Sequence, residues 1–238
     1  MSDKAYYEKI VNDTLYAPWK IRSGTAVPTV DSVALVGGGV EIDAVVLYAD
    51  LVKSSLLATE FDRRVATKIV KSFLACASQL IKDHGGEITS FDGDRVMGVF
   101  LGDTKNSSAA KCALKINYVV TKIIKPKLSD YFVSVQKNEF DITHCVGIDR
   151  STVLAVRAGI RGANDLIWVG RAPNLAARLS DIREAGYKTY ISGDVFSKMV
   201  DSSKYGGSSG VELMWEPRTF TWNGQAISIH RSNWTWAP

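Results

Sequence analysis

Residues 42–50 read Ile-Asp-Ala-Val-Val-Leu-Tyr-Ala-Asp, an apolar and β-branched run of strand length that ends in a carboxylate. A continuous run of this kind is typical of a strand that is covered on both faces. A carboxylate placed directly after a buried strand is costly unless another group pairs with it. Asp50 is therefore the first candidate for a functional residue.

The segments that follow this strand indicate how the chain continues. Apolar residues recur at helical spacing over residues 60–83, and Gly85-Gly86 is expected to end that helix. Residues 87–91 (EITSF) and 95–100 (RVMGVF) flank Asp92-Gly93-Asp94, a sequence that favours a tight turn. The pattern therefore predicts a strand, a long helix and a hairpin in that order.

The remainder of the chain repeats the same kinds of element. The predicted elements are a helix over residues 107–124 with Pro126 just beyond it, strands over 141–148 and 152–156 joined through 149–151, a strand over 166–169, a helix over 173–184, and a hairpin of 218–222 and 225–230 around Asn223-Gly224. This order is the split βαβ arrangement of ferredoxin-like α+β folds. We therefore expect an antiparallel-rich central sheet flanked by helices.

The split βαβ order brings two carboxylates together. Its first and third strands are antiparallel neighbours, so the end of the first, Asp50, and the start of the third, just after Asp94, lie at the same edge of the sheet. Carboxylates are ligands that Mg²⁺ and Mn²⁺ prefer. The alternative for Asp94 alone is a solvated turn residue, because Asp-Gly turns are common.

A third set of polar residues lies in the helix predicted over residues 173–184. Asn174 and Arg178 are four positions apart, so on a helix their side chains point to one face, and Pro173 is tolerated in a first turn. Together they would form a fork of hydrogen-bond donors. The alternative is an exposed arginine on a surface helix.

Composition narrows the class of protein. The 238 residues are 46% hydrophobic and 23% charged, with a formal net charge of +4, which suits one soluble domain with extensions. From the predicted elements we expect a core over residues 41–200, an extension over 1–40 and a C-terminal hairpin segment over 201–238 that completes the domain. The charges are scattered, so no nucleic-acid partner is expected. Cys76, Cys112 and Cys145 are too far apart for a CxxC pair. No apolar run suits a membrane span, and a cytoplasmic location is expected.

Three segments carry a family resemblance. Residues 48–55 (YADLVKSS) and 90–94 (SFDGD) resemble the two metal-binding segments of class III adenylyl and guanylyl cyclases. Residues 169–179 (VGRAPNLAARL) are similar to the segment in which this family carries an Asn and an Arg four residues apart. The motifs occur in the family's order within about residues 42–193. The resemblance implies closure of a nucleoside triphosphate into a 3′,5′-cyclic monophosphate with release of pyrophosphate.

The resemblance also assigns roles. Asp50, Asp94 and the backbone carbonyl of Leu51 would hold two Mg²⁺ or Mn²⁺ ions. Phosphates would bind the backbone amides of Val52, Lys53, Ser54 and Ser55.

The remaining family roles concern catalysis and assembly. Asn174 would orient the ribose, and Arg178 would stabilise the charge of the transition state. In the family the metal pair and the Asn/Arg pair of one chain face different clefts, so the implied unit is a homodimer with shared active sites.

The base-reading positions depart from the purine-cyclase pattern. Where those cyclases carry a Lys and an Asp or Thr, this chain has Ser90 and Ile167, and Ile167 is unable to accept from an exocyclic amine. Tyr48 and Trp168 are bulky neighbours that would narrow the pocket. The combination resembles the bacterial pyrimidine cyclases of Pycsar antiphage systems, which pass cyclic UMP or cyclic CMP to a separate effector. UTP is favoured, with CTP and ATP as alternatives.

Three other functions compete with this interpretation. Residues 85–88 (GGEI) superficially resemble the GGEEF motif of diguanylate cyclases, but they end a helix instead of forming the hairpin turn. An inactive nucleotide sensor is disfavoured because all four polar motif residues are present. An RNA-binding module would need an exposed aromatic and basic sheet face, which the apolar central strands do not offer. The three histidines, His84, His144 and His230, receive no role.

Overall fold

A computed structural model describes residues 3–238. The helices are α1 Lys4–Leu15, α2 Ser54–Glu60, α3 Arg63–Asp83, α4 Lys105–Tyr118, α5 Lys125–Tyr131, α6 Val133–Lys137, α7 Arg171–Ser180, α8 Gly193–Ser197 and α9 Asp201–Lys204. The strands are β1 Lys20–Ser23, β2 Gly38–Val52, β3 Gly86–Asp92, β4 Arg95–Phe100, β5 Thr143–Ile160, β6 Ala163–Gly170, β7 Thr189–Ser192, β8 Tyr205–Gly206, β9 Glu212–Leu213, β10 Glu216–Trp222 and β11 Gln225–Ser232.

One large sheet organises the chain. Its order is β10-β11-β7-β5-β2-β4-β3, with β1 added to β2 and β6 added to β5. Strand β2 pairs with β5 on one side and β4 on the other, both antiparallel. Only the β1–β2 and β5–β7 pairs in this sheet are parallel among the described residues. The predicted α+β fold with an antiparallel-rich sheet is thus confirmed.

Helices cover the two faces of the sheet. On one face, α3 and α4 bury Phe73, Ile81 and Leu114 against alternate residues of β2. On the other, α7 packs Ala172 and Ala176 onto the sheet. The apolar run of β2 is therefore covered on both sides, as its sequence predicted.

Strand β5 corrects one prediction. Residues 141–148 and 152–156 were expected to form two strands joined through Asp149, Arg150 and Ser151, but β5 runs unbroken from Thr143 to Ile160. The polar residues do not form a turn because each finds a partner on a neighbouring element, either on β2, where Arg150 donates to Asp43 at 3.1 Å, or at the start of α7. Asp149 accepts from Arg171, and the Ser151 hydroxyl accepts from the backbone N–H of Ala172 at 2.9 Å.

Two helix predictions are wrong at their ends. After α4, the chain passes through a π-helical segment, Val119–Ile124, directly into α5, which carries Pro126 in its first turn. Proline lacks a backbone N–H, and the first turn needs none, so Pro126 does not end the helical path. Helix α7 begins two residues earlier than expected and ends at Ser180 instead of residue 184.

Both hairpin predictions are confirmed. Strands β3 and β4 pair on either side of residues 93–94, and β10 and β11 pair on either side of Asn223-Gly224. Asn223 and Gly224 have φ angles of +50° and +77°, the positive values that a type I′ turn requires.

The terminal segments contribute to the same sheet. Strand β1 pairs with residues 38–41, and β11 pairs with β7. The division into an extension, a core and a C-terminal hairpin segment stays a prediction. Among residues 3–238, no helix is long and apolar enough to cross a lipid bilayer.

Candidate active site

The site is built around the end of β2. Asp50 lies opposite Arg95 of β4 and Cys145 of β5, so a neighbouring strand flanks it on each side. Its side chain is only 6% exposed. One carboxylate oxygen accepts from Arg95 Nε at 3.3 Å and the other from Arg183 Nη2 at 2.5 Å. The sequence thus buries a carboxylate and supplies two cations to offset its charge.

Asp94 lies beside this carboxylate. It directly precedes Arg95, the cross-strand neighbour of Asp50, and it follows Gly93, whose φ of +60° closes the turn. Burial raises the pKa of Asp50; the negative charge of Asp94 acts in the same direction, whereas Arg95 and Arg183 lower it. The fold therefore brings the two predicted metal-binding carboxylates within electrostatic range of each other.

The donor set suits a divalent cation. Mg²⁺ is commonly held by one or two carboxylates, with water and substrate phosphates completing its shell. Asp50 and Asp94 provide the two carboxylates, and Leu51, the third expected ligand, directly follows Asp50 in β2. No cluster of three or more His, Cys, Asp or Glu side chains suited to a metal occurs among residues 3–238. Substrate oxygens are therefore needed to complete the coordination of a bound ion.

A strand-to-helix turn follows Asp50 directly. Strand β2 ends at Val52, Lys53 adopts a left-handed conformation with φ of +65°, and α2 starts at Ser54. The first N–H groups of a helix have no partner within that helix. Ser54 and Ser55 therefore present backbone donors near the carboxylate pair, where the resemblance expects phosphates.

Three of the expected base-pocket residues share one face of the sheet. The three are Tyr48, Ser90 and Trp168. Tyr48 lies opposite Met97, and Met97 lies opposite Ser90, so Tyr48, Met97 and Ser90 form a row across β2, β4 and β3. The Arg95 guanidinium lies 5.8 Å from the centroid of the Tyr48 ring. Trp168 packs against the same hydrophobic cluster as Tyr48 and Met97.

Ile167 is separated from that group. Burial alternates along β6, where Trp168 is half-buried and Ile167 is 48% exposed. Neighbouring residues of a strand point to opposite faces. Within one chain, Ile167 therefore does not share a pocket with Tyr48 and Ser90.

Helix α7 carries the Asn/Arg pair on its outer face. Leu175 and Leu179 are buried, whereas Asn174 and Arg178 are exposed. The Asn174 amide donates to the carbonyl of Gly170 at 2.9 Å. Within residues 3–238, the Arg178 side chain forms no hydrogen bond or ion pair. The arginines that contact Asp50 are instead Arg95 and Arg183. The pair thus points away from the sheet in a single chain.

A glycine sets how closely α7 approaches the sheet. A Cβ atom at Gly147 would lie 2.1 Å from the Ala176 carbonyl oxygen and 2.4 Å from the Ser180 nitrogen, both of them backbone atoms. The N-terminal end of α7 is held by Arg171, whose guanidinium donates twice to Asp149, each time at 3.0 Å. The position of the Asn/Arg face is therefore fixed at both ends.

Three residues of the site, Arg95, Asp181 and Arg183, were not predicted from the sequence. Arg95 Nη2 donates to Asp181 at 2.9 Å, which links β4 to the segment after α7. Hairpin register would have identified Arg95, because it directly follows Asp94. No sequence signal identifies Arg183, since its approach to Asp50 depends on an irregular segment.

Comparisons with known proteins agree with this arrangement. No family model matches the chain. A uridylate cyclase of Rhodovulum sp. (strain MB263) is 49% identical over 220 residues, covering 92% of this chain and 90% of that protein. A uridylate cyclase of Burkholderia cepacia is 42% identical over 231 residues, covering 96% of each chain.

Solved structures match in fold. The guanylyl cyclase Cya2 superposes with a TM-score of 0.67 at 16% identity, covering 84% of this chain and 96% of that one. A bacterial light-regulated adenylyl cyclase gives a TM-score of 0.66 at 18% identity, covering 81% of this chain and 51% of that one. These likenesses establish the cyclase fold, and the identity to the two relatives over nearly the whole chain makes it a member of the uridylate cyclase family.

Proposed function

We propose that this chain is a divalent-metal-dependent nucleotide cyclase that converts UTP into 3′,5′-cyclic UMP and pyrophosphate. The observation that carries the proposal is the proximity of Asp50 and Asp94 at one sheet edge, in a chain 49% identical to a uridylate cyclase. The product would serve in the cytoplasm as a second messenger for a separate effector, in the antiphage role that the resemblance implies.

The carboxylate pair would hold the metal. We infer that Asp50, Asp94 and the Leu51 carbonyl bind Mg²⁺ or Mn²⁺, with two ions in each site. Bound ions supply a lowered pKa for the ribose 3′-hydroxyl and neutralise the triphosphate. Ser54 and Ser55 would bind phosphate oxygens through their backbone amides.

The outer face of α7 would complete the reaction centre. Asn174 orients the ribose so that its 3′-oxygen attacks the α-phosphorus as the bond to pyrophosphate breaks. Arg178 donates to the oxygens on which charge grows in the transition state. Because both side chains point away from their own sheet, we infer that they act on the substrate held by a second copy of the chain.

Mixing inactive variants tests this shared site. Asp50→Ala and Arg178→Ala homodimers should each be inactive. After subunit exchange, half of the dimers are mixed and one of their two sites is intact, so about one quarter of the wild-type activity should return. Exchange is followed by native mass spectrometry of differently tagged chains. Proven exchange without recovered activity would contradict the shared site.

The base pocket supports a pyrimidine substrate. The row of Tyr48, Met97 and Ser90, with Trp168 on the same cluster, leaves bulky side chains where a purine would need room. Ser90 provides one neutral hydroxyl instead of a charged donor. A CTP cyclase is the second candidate, since a hydroxyl can donate to uracil or accept from the cytosine amine.

A direct assay tests the function. Purified protein is incubated separately with UTP, CTP, ATP and GTP plus Mn²⁺, and the products are separated by mass. Cyclic UMP should dominate. Asp94→Asn should abolish its formation, while Asp92→Asn, a matched change two residues away in the same turn, should retain it. Dominant cyclic AMP or cyclic CMP would overturn the UTP assignment, and no cyclic product from any triphosphate would overturn the proposed activity.

A further inference from the structure

The two arginines that neutralise Asp50 are attached differently. Arg95 contacts Asp50 through Nε at 3.3 Å and also donates to Asp181 at 2.9 Å. Its guanidinium lies over the Tyr48 ring, and its side chain is 24% exposed. Several neighbours therefore hold Arg95 in place whether or not Asp50 accepts its hydrogen bond.

Apart from Asp50, Arg183 hydrogen-bonds only within its own segment of the described chain. Its Nη2 lies 2.5 Å from Asp50 Oδ2, and its Nη1 donates to the backbone carbonyls of Ser180 and Ile182 at 2.6 and 3.3 Å. The nearest other carboxylate, that of Asp181, is 4.0 Å away. The Arg183 side chain is 42% exposed and belongs to the irregular segment between α7 and β7. Although its contact with Asp50 is the shorter one, Arg183 is more exposed than Arg95 and does not belong to a strand, so it has more freedom to move away.

A cavity lies on the other side of Arg183. Its volume is about 460 Å³, and its lining includes Lys53, Lys188 and the buried ring of His144. Neither ring nitrogen of His144 has a hydrogen-bond partner among the described residues. The cavity therefore offers room for a displaced guanidinium, and its lining includes the carboxylate of Glu184 as well as the two lysines.

Charge balance limits what can happen when a cation arrives. Asp50 is nearly buried, so its charge must stay neutralised. If a cation binds Oδ2, the oxygen that accepts from Arg183, the arginine and the metal compete for one position. We propose that Arg183 is an exchangeable counter-ion, which a divalent cation displaces from Asp50 and which then turns into the cavity. This inference rests on the proposed metal site at Asp50.

Metal binding without nucleotide tests the exchange. Free Mn²⁺ is measured by electron paramagnetic resonance during titration of the wild type and of Arg183→Met. Loss of the competitor should tighten Mn²⁺ binding about tenfold, the equivalent of one charge-assisted hydrogen bond. Lys188→Met is the matched control, because it removes a cation from the same cavity without a contact to Asp50. The Mn²⁺ affinity of Lys188→Met should rise by less than about threefold.

The outcomes separate the exchange from the metal site itself. Equal tightening in the two variants, or none in Arg183→Met, overturns the exchange. Wild-type Mn²⁺ affinity in Asp50→Asn instead overturns the metal site on which it rests.

The wild-type protein provides a second readout that does not depend on how Arg183→Met folds. On addition of Mg²⁺, the NMR signal of the Arg183 Nε–Hε group should shift and exchange faster with water, whereas the Arg95 Nε–Hε group should not exchange faster because Asp181 still holds that side chain. The Arg183 signal is assigned by its absence in Arg183→Lys. An unchanged Arg183 signal at saturating Mg²⁺ contradicts the proposal.

Discussion

Asp50 and Asp149 are both buried carboxylates on central strands, yet their surroundings differ. Burial raises the pKa of each, and arginine opposes that rise in both cases. One guanidinium, that of Arg171, grips both oxygens of Asp149 at 3.0 Å. Asp50 divides its oxygens between two arginines and has the like charge of Asp94 nearby. The bidentate ion pair of Asp149 with Arg171 therefore has a structural role. Asp50, whose oxygens contact two different arginines beside a second carboxylate, instead leaves a position that a cation can take.

The largest expected effect is the loss of activity when the charge of Asp50 is removed. Asp50→Asn should lower cyclase activity about 10³-fold, because several kcal/mol of metal-based charge stabilisation are lost. The free energy of unfolding should stay level or rise, since a neutral amide no longer bears the cost of burial or the repulsion of Asp94. Activity is measured by product mass and stability by urea unfolding. A strongly destabilised variant would place Asp50 with the structural carboxylates.

The second prediction removes the bidentate ion pair between Arg171 and Asp149. Arg171→Met should lower the free energy of unfolding by about 3 kcal/mol, because a fully buried carboxylate loses its partner. Adding Asp149→Asn to this variant should restore part of the loss. Urea unfolding of the two single variants and the double variant measures the coupling. If the effects of Arg171→Met and Asp149→Asn on the free energy of unfolding are additive, the ion pair between these residues contributes little to stability.

The third prediction concerns His144, a buried ionisable group whose ring nitrogens have no hydrogen-bond partner in the described part of the chain. Burial, with the nearby charge of Lys188, lowers the pKa of His144 to about 3, so the folded state holds a neutral ring. The unfolded chain binds a proton below its ordinary pKa of about 6.5, and stability therefore falls as pH drops from there toward 3. Between pH 6.5 and 5 the loss attributable to His144 should be about 1.5 kcal/mol.

A leucine at this position isolates that contribution. His144→Leu should flatten the pH dependence of urea unfolding between pH 6.5 and 5. The difference between wild type and variant is the quantity to measure, because other titrating groups are common to both. Parallel pH profiles would mean that the pKa of His144 is the same in the folded and the unfolded protein.

The smallest expected effect is that of an exposed ion pair. Lys82 Nζ lies 2.6 Å from a Glu87 carboxylate oxygen, but the two side chains are 49% and 57% exposed. Glu87→Gln should change the free energy of unfolding by less than about 0.5 kcal/mol, because water and salt screen the pair. Urea unfolding at low and high salt measures it. A larger loss of stability would mean that burial does not explain the difference between the Arg171–Asp149 pair and the Lys82–Glu87 pair.

Local patterns predicted much of the fold. The apolar run of residues 42–49, the helix that ends near Gly85 and the Asn223-Gly224 turn are governed by neighbouring residues, and each prediction was confirmed. The antiparallel pairing of β2 with β4 then followed from topology, which brought Asp50 close to Asp94. The catalytic roles of the site residues stay predictions.

Long-range partners explain what the sequence did not predict. Asp149, Arg150 and Ser151 have the composition of a turn, and only the contacts of Arg171 and Ala172 reveal that they continue a strand. Arg183 is a further case, since its partner Asp50 lies 133 positions away along the chain. Periodicity contains no information about such pairs.

Gly147 has a consequence for how this enzyme can be damaged. Only hydrogen fits between the strand and the α7 backbone at that position, so even an added methyl group would push the helix outward. Asn174 and Arg178 would move with it as one unit, although neither is altered. A misplacement of about 1 Å can cost roughly 10²-fold in rate. A folded but silent enzyme can therefore arise from a residue that never meets the nucleotide.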